Sequence, residues 1–347
     1  MSDFVPHKKS LERTTPLRIL RVEPQEVQFK PNAKANLKLA GGKDALGTCL
    51  GCHDAPCIEL DSGRMELSGD LSAFPGDPLL DVCPTNAIDW NDTGDLIQIN
   101  ADQCIGCGLC AHRCPYGAIS LTSKGHATVE SGDPDGITEP THETVIEASH
   151  IKLVKSGSLG DASSPFLKKL PGVLARLNDV QSTRLTRNLF LSLGLGAQMH
   201  RKGDTNVRMD GVLEFSNGTI GVVELETSQA VLESPRALLE DVAVLHNRFG
   251  VPKESIVPVS VIGAFPNVRV EYYQVMDDIE KVLGIQCHTI TLGALCVLSW
   301  HFQEIDEFGN GQFITAQGAT DLFPSMRSLI DDLANEEPYS GAFRPAK

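Results

Sequence analysis

The sequence predicts a small α+β module that holds metal on cysteines, followed by an α/β domain built on a mixed sheet. Three observations predict it. Eight of the ten cysteines fall in short metal-ligand spacings between Cys49 and Cys114. Two Cys-Pro units in that stretch are each followed by alternating residues on either side of a turn. From Ser164 onward, apolar residues at helical spacing alternate with short apolar runs of strand length.

The bulk properties set the frame. A chain of 347 residues with 41% apolar content is long enough for two domains with cores of their own. The net charge of −15 divides almost evenly between the halves. Neither half is therefore a basic nucleic-acid module, since phosphate contacts need clustered Lys and Arg. Any nucleic-acid contact is expected from a local patch or a partner subunit. No run of about 18 apolar residues occurs, so no membrane-spanning helix is expected. The start, MSDFVPHKKS, lacks an apolar signal core. Metal-ligating thiolates also persist where thiols stay reduced, so a cytoplasmic location is expected.

Taken in order, residues 1–45 form an arm punctuated by prolines, with Leu17–Val22 as its one strand-like piece. The cysteine module is expected over 46–155. Cys49, Cys52 and Cys57 stand at spacings of two and four, and Cys83 follows after 25 intervening residues. Cys104, Cys107, Cys110 and Cys114 then stand at spacings of two, two and three, closed by Pro115. Cys83-Pro84 leads into Ala87-Ile-Asp-Trp90 and Asp95–Asn100, and Cys114-Pro115 leads into Ala118–Thr122 and His126–Glu130. The module is thus an internal repeat, each half a cysteine group and a hairpin. The insert at 58–82 predicts a further hairpin, Ile58–Leu60 against Arg64–Leu67, over cluster I or on a partner surface. Zinc is the alternative metal for cysteine groups. Zinc sites pair cysteines two and two, whereas the 104–114 run crowds three around one centre.

On these residues the module resembles a two-[4Fe–4S] bacterial ferredoxin. Cys-x2-Cys-x4-Cys with Ala-Pro before its last cysteine is similar to the iron–sulfur subunits of multi-centre oxidoreductases. The resemblance implies a ferredoxin-like fold and two cubes whose halves exchange their last cysteine. Cluster I is then held by Cys49, Cys52, Cys57 and Cys114, and cluster II by Cys83, Cys104, Cys107 and Cys110. His53 and His112 lie between ligands as bystanders. The long insert does not forbid ligation, because loop-closure cost rises only logarithmically with length.

The Gly, Ser and Pro residues of 131–165 mark the junction, around one apolar piece at Val145–Val154. The second domain is expected over 156–347. Helices are predicted at Phe166–Leu177 and Thr183–Leu193. A hairpin of Arg208–Phe215 and Ile220–Glu226 turns at Ser216–Thr219. A helix follows at Leu232–Arg248 with Glu240 and Asp241 outward, then a buried strand at Ser255–Gly263. A helix at Val270–Leu283 and a strand at Ile285–Leu292 complete the pattern. Cys287 and Cys296 read as buried thiols, His288 and His301 as core or surface residues, and Asn335–Lys347 as a loosely ordered tail.

With Asp210 on one hairpin arm and Glu224-x-Glu226 on the other, this order resembles the PD-(D/E)xK nuclease superfamily. The resemblance implies a restriction-endonuclease-like fold in which Asp210 and Glu224 ligate Mg²⁺ and Asp210, Glu224 and Glu226 are catalytic. Glu226 stands where the family usually has lysine, and Met209 where it often has proline. Asp179 and Gln181 stand near the start of the helix that often offers a Glu. The function expected is electron transfer through two [4Fe–4S] clusters to a partner redox enzyme or complex. The alternatives are a metal-dependent nuclease or nuclease-derived subunit, and a scaffold without chemistry of its own.

Overall fold

The computed structural model describes residues 19–20, 55–61, 65–90, 92, 97–114, 118–121, 127–129, 137–138, 167–204, 207–228, 231–308, 311–331, 333 and 341–345. The chain divides into two compact units. One comprises Met1–Leu60 and Asp81–Ala162, the other Asp61–Leu80 and Ser163–Lys347. Cys49, Cys52, His53 and the apolar piece at 145–154 lie outside the described residues.

The first unit is built of short ladders. Strand β1 (Ile19–Leu20) lies within the predicted strand at 17–22. Strands β2 (Ile88–Trp90) and β3 (Ile97–Ile99) form an antiparallel hairpin after Cys83, with Ile88 opposite Ile99. Helix α1 (Leu109–Arg113) follows, entered through Gly108 at φ 80. Strands β4 (Ile119–Leu121) and β5 (Ala127–Val129) form the matching hairpin after Cys114. β6 (Ile137–Thr138) pairs antiparallel with β1. Both Cys-Pro hairpins therefore form where the alternation predicts them.

The insert departs from expectation. Among the described residues, Glu59 bridges to Asp81 and not to 65–67, and the Val82 N–H donates to the Ile58 carbonyl at 2.8 Å. These contacts close the root of a loop whose body, residues 61–80, belongs to the second unit. There it covers the edge of a sheet, since an open edge is a template for unwanted pairing.

That sheet has five strands. Helix α2 (167–174) and helix α3 (Asp179–Ser192) precede it. α3 begins four residues before the predicted start because Asn178 and Gln181 form a capping box, with bonds of 3.0 and 3.1 Å. Strands β7 (Gly196–Met199), β8 (Gly211–Glu214) and β9 (Ile220–Glu226) form an antiparallel meander. The β8–β9 turn uses Gly218 at φ 83, where a side chain would be strained. Helix α4 (Ser234–Phe249) then crosses to β10 (Ile256–Ile262), parallel to β9. Helix α5 (Tyr272–Leu283) crosses to β11 (His288–Thr291), parallel to β10. The order is β11-β10-β9-β8-β7. Pro258 is tolerated in β10 because the β11 register begins one residue later, at Val259.

Helix α6 (Leu292–Trp300) is buried along its whole length. It escapes the sequence reading because a helix apolar all round has no period to detect. Gly293 is required there: a Cβ would meet the Ala342 methyl at 2.9 Å and Leu167 at 3.0 Å. Helix α7 (Phe323–Leu329) closes the domain. The tail expectation is corrected for residues 341–345. Phe343 is fully buried, and its carbonyl accepts from the Leu322 N–H at 2.8 Å. A buried chain of hydroxyls crosses the core: Ser234 meets Ser260 at 2.7 Å, and the Tyr272 hydroxyl meets Ser260 at 3.0 Å and Thr289 at 2.9 Å.

The insert docks on β7 and α3. The Asp77 N–H donates to the Met199 carbonyl and the Arg201 N–H to the Pro75 carbonyl, both at 2.9 Å. Gln198 Nε2 donates to the Met65 carbonyl at 2.6 Å. Arg187, 0% exposed, donates from Nη1 to the Asp77 carbonyl at 3.0 Å and pairs with its carboxylate at 3.9 Å. Met65, Leu67, Leu71 and Phe74 are buried with it. Phe74→Ala is expected to destabilise this unit by about 3 kcal/mol, the cost of a large buried side chain and its cavity. Urea unfolding of the full chain, read by fluorescence of the buried Trp300, measures it. An unchanged midpoint would show that the insert adds nothing to the fold.

Candidate functional site

The cysteines gather through local backbone geometry. Gly106 and Gly108, at φ 73 and 80, turn the chain between ligands so that α1 carries Cys110 and delivers Cys114 at its end. N–H groups point at sulfur in both halves. Ala87 donates to Cys83 Sγ at 3.1 Å and Ala118 to Cys114 Sγ at 3.3 Å, each four residues after its cysteine. Ala127 donates to Cys104 Sγ at 3.3 Å. Arg113 Nε donates to the Pro56 carbonyl at 2.6 Å, tying α1 to the loop that carries Cys57.

Cys83, distant in sequence, lies within electrostatic reach of Cys104 and Cys110, and Cys114 of Cys110. Burial, then neighbouring thiols, push the Cys110 thiol well above its ordinary range. Burial is also the main cause raising Cys104, against N–H groups of Ala127 and Gly106 that favour its thiolate. No disulfide joins any of the eight described cysteines. Thiols crowded together, with N–H groups aimed at sulfur, suit a group that supplies positive charge and binds thiolate. The donor set fits iron–sulfur ligation. His112 lies half-buried on α1.

The second unit holds a carboxylate cluster. Gly211 pairs with Val223, which sets Asp210 beside Glu224 at the end of the β8–β9 hairpin. Asp210 Oδ2 accepts from the Leu225 N–H at 2.9 Å, and its carbonyl accepts from the His200 N–H at 2.7 Å. Asp241 is not outward as the helical pattern suggests. It is 3% exposed on the face of α4 packed against the sheet. Burial, then Asp210, push its carboxyl up to about 7. Burial, then Asp210, Asp241 and Glu226, push Glu224 up to about 8. Burial is the main cause raising Asp210. Asp210 and Glu226 line a cavity of about 590 Å³ with Asp77, Asp179, His200 and Lys202 among its other walls. Among the described residues, no three His, Cys, Asp or Glu side chains converge on a single metal ion.

Two residues of this site, His200 and Asp241, are not legible in the sequence. Nothing in the pattern around His200 marks it. A charged residue on an amphipathic helix reads as solvent-facing unless its neighbours in space are known. His288 is a core histidine: it is bonded to the Gln312 carbonyl at 2.8 Å, and burial takes it down to about 4. Cys287 and Cys296 are buried thiols, and burial pushes Cys287 up to about 12.

Residues 80–118 match the family model of the 4Fe-4S dicluster domain. The chain carries a ferredoxin-like iron–sulfur domain. That domain is similar to hydrogenase-4 component A of Escherichia coli (strain K12), 60% identical over 45 residues, 13% of this chain and 21% of the relative. It is similar to a subunit of the anaerobic dimethyl sulfoxide reductase of the same organism, 29% identical over 107 residues, 30% of this chain and 49% of the relative. The arsenate respiratory reductase iron-sulfur subunit of Shewanella sp. (strain ANA-3) is 35% identical over 75 residues, 22% of its length and of this chain's. The matched stretches thus span between a fifth and a half of these relatives. No solved structure matches the chain. No helix among the described residues is long and apolar enough to cross a membrane.

The raised carboxyls make stability depend on pH. The ordinary values are 4.5 for Glu224 and 3.8 for Asp241. Between those values and about 8, the folded chain holds protons that the unfolded chain has released. Stability contributed by this cluster therefore falls as pH rises through that window and levels off above it. Glu224→Gln is expected to flatten the fall, gaining stability over the parent at about pH 8.5 and little at about pH 5.5. Urea midpoints read from Trp300 check this, and parallel pH profiles for the two proteins would sink it.

Proposed function

We propose that the chain is an iron–sulfur electron-transfer subunit that holds two [4Fe–4S] clusters and serves a partner redox enzyme. Cys49, Cys52, Cys57 and Cys114 would hold cluster I, and Cys83, Cys104, Cys107 and Cys110 cluster II. One observation supports the reading: Cys83, 21 residues upstream of Cys104, lies within electrostatic reach of Cys104 and Cys110. When bound, the clusters supply one-electron storage and release. The chain supplies thiolates, low-dielectric surroundings and N–H donors to sulfur, which tune reduction potential. Its relatives, components of a hydrogenase and of anaerobic reductases, support a role inside a multi-subunit complex.

Anaerobically purified protein is expected to contain about eight iron and eight sulfide per chain. Cys114→Ser is expected to damage the cluster shared with Cys49, Cys52 and Cys57 and to leave the other intact. Iron analysis with electron paramagnetic resonance checks both. A colourless, zinc-loaded protein would refute the reading, and loss of cluster II alone in the variant would refute the crossed ligation.

A second reading concerns the other unit. Its antiparallel meander followed by a parallel crossover, with Asp210 beside Glu224, favours a nuclease-like fold in which these two and Glu226 act with Mg²⁺ on a phosphodiester. DNA and RNA incubated with Mg²⁺ or Mn²⁺ are expected to be cut by the parent and not by Asp210→Ala with Glu224→Ala. Cutting that survives the double change, or none by the parent, would end this reading.

A further inference from the structure

The two halves of the cysteine module agree at a backbone donor and differ at one side chain. After Cys83 the order is Pro84-Thr85-Asn86-Ala87, and after Cys114 it is Pro115-Tyr116-Gly117-Ala118. In both, the N–H four residues on donates to the cysteine's own sulfur, Ala87 at 3.1 Å and Ala118 at 3.3 Å. Two residues after Cys83, the Thr85 hydroxyl stands 3.5 Å from the same Sγ, a hydrogen-bond distance for so large an atom. At that step the second half has Tyr116, which carries its hydroxyl at the far end of a ring and not on Cβ.

The turn that presents both donors is set locally. The Asn86 N–H donates to the Cys83 carbonyl at 3.3 Å, and Asn86 itself takes φ 54. Asparagine enters that left-handed region more readily than most side chains. The turn brings the next N–H, that of Ala87, back to the sulfur. Val82 and Pro84, on either side of Cys83 in the chain, are both buried and hold it in place. Thr85 is half-buried, and among the described residues Cys83 Sγ is the partner of its hydroxyl. Between a thiol and a hydroxyl either atom can donate. A sulfur that ligates iron has lost its proton, so the hydroxyl is then the donor.

We propose that Thr85 raises the reduction potential of the cluster that Cys83 ligates, by donating its hydroxyl hydrogen to that thiolate. The assignment rests on the electron-transfer reading and gives the two clusters a reason to differ. Reduction brings one electron from the partner redox enzyme and adds one negative charge to the cluster and its thiolates. No bond breaks and no proton moves. A donor aimed at sulfur stabilises the more negative state more strongly, so the electron is held more firmly there. The amides of Ala87 and Ala118 act alike in the two halves. The hydroxyl is the added donor, and it biases the electron toward the cluster on Cys83.

The test compares the full chain, purified anaerobically with its clusters, with two variants. Thr85→Val keeps the shape and removes the hydroxyl, whereas Thr85→Ser keeps the hydroxyl. Iron and sulfide are counted first, and the two midpoint potentials are then read by electron paramagnetic resonance during a reductive titration. In Thr85→Val one midpoint is expected to fall by about 28 mV or more, about threefold in the one-electron equilibrium, with the other unchanged. Thr85→Ser is expected to keep the parent's values. Parental midpoints in a loaded Thr85→Val, an equal fall in Thr85→Ser, or both midpoints falling together would each overturn the assignment. If Thr85→Val does not load iron, Thr85→Ala supplies the hydroxyl-free comparison. Iron loss from both would make Thr85 a folding residue and overturn the proposal as well. A parent without clusters would instead defeat the electron-transfer reading, and this assignment with it.

Discussion

Two contacts at the root of one loop decide how this chain is divided: the Val82 N–H on the Ile58 carbonyl and the Glu59–Asp81 bridge. They hold Cys57 and Cys83 in one module although 25 residues separate them. The residues between are released from the module and complete the other unit's sheet. Closing a loop of that length costs little more entropy than closing a shorter one. The covered edge of β7 and the burial of four apolar side chains offset that cost. The repeated Cys-Pro-hairpin halves of the ferredoxin-like domain stay in step because the excursion is closed at its base.

The same insert shapes the second unit's chemistry. Asp77 anchors buried Arg187 and also lines the cavity, and Gly76 bridges to His200 in its wall. A Cβ on Gly76 would meet the Gln198 side chain far inside contact distance. The cavity wall and the sheet edge are therefore one packing problem, solved by a segment that the sequence places among the cysteines. The carboxylate cluster is then held by a rigid hairpin end and by α4, where burial keeps protons on groups that water would ionise.

Legibility follows the kind of signal each element carries. Cysteine spacing is a local code, so the ferredoxin-like domain is readable, and residues 80–118 match the dicluster family. The two Cys-Pro hairpins and the β8–β9 hairpin are readable because alternation and a Gly-containing turn are local as well. Asp241 misleads because amphipathic period says which residues share a face and not which face meets the sheet. Helix α6 is invisible because uniform burial erases the period. The insert misleads because its apolar residues, Met65, Leu67, Leu71 and Phe74, belong to a surface formed about a hundred residues later.

By itself the sequence determined the ligand chemistry: which side chains could grip iron, the repeat that arranges them, and the alternation of helices and strands that follows. Those properties are set by neighbours within a few residues, through backbone turns and side-chain period. Only the tertiary structure decided that residues 61–80 leave their module to cap β7, and that Asp241 is buried within electrostatic reach of Asp210. Each of these depends on which surfaces meet, and burial changes the energy of a charge or an apolar group far more than its sequence neighbours do.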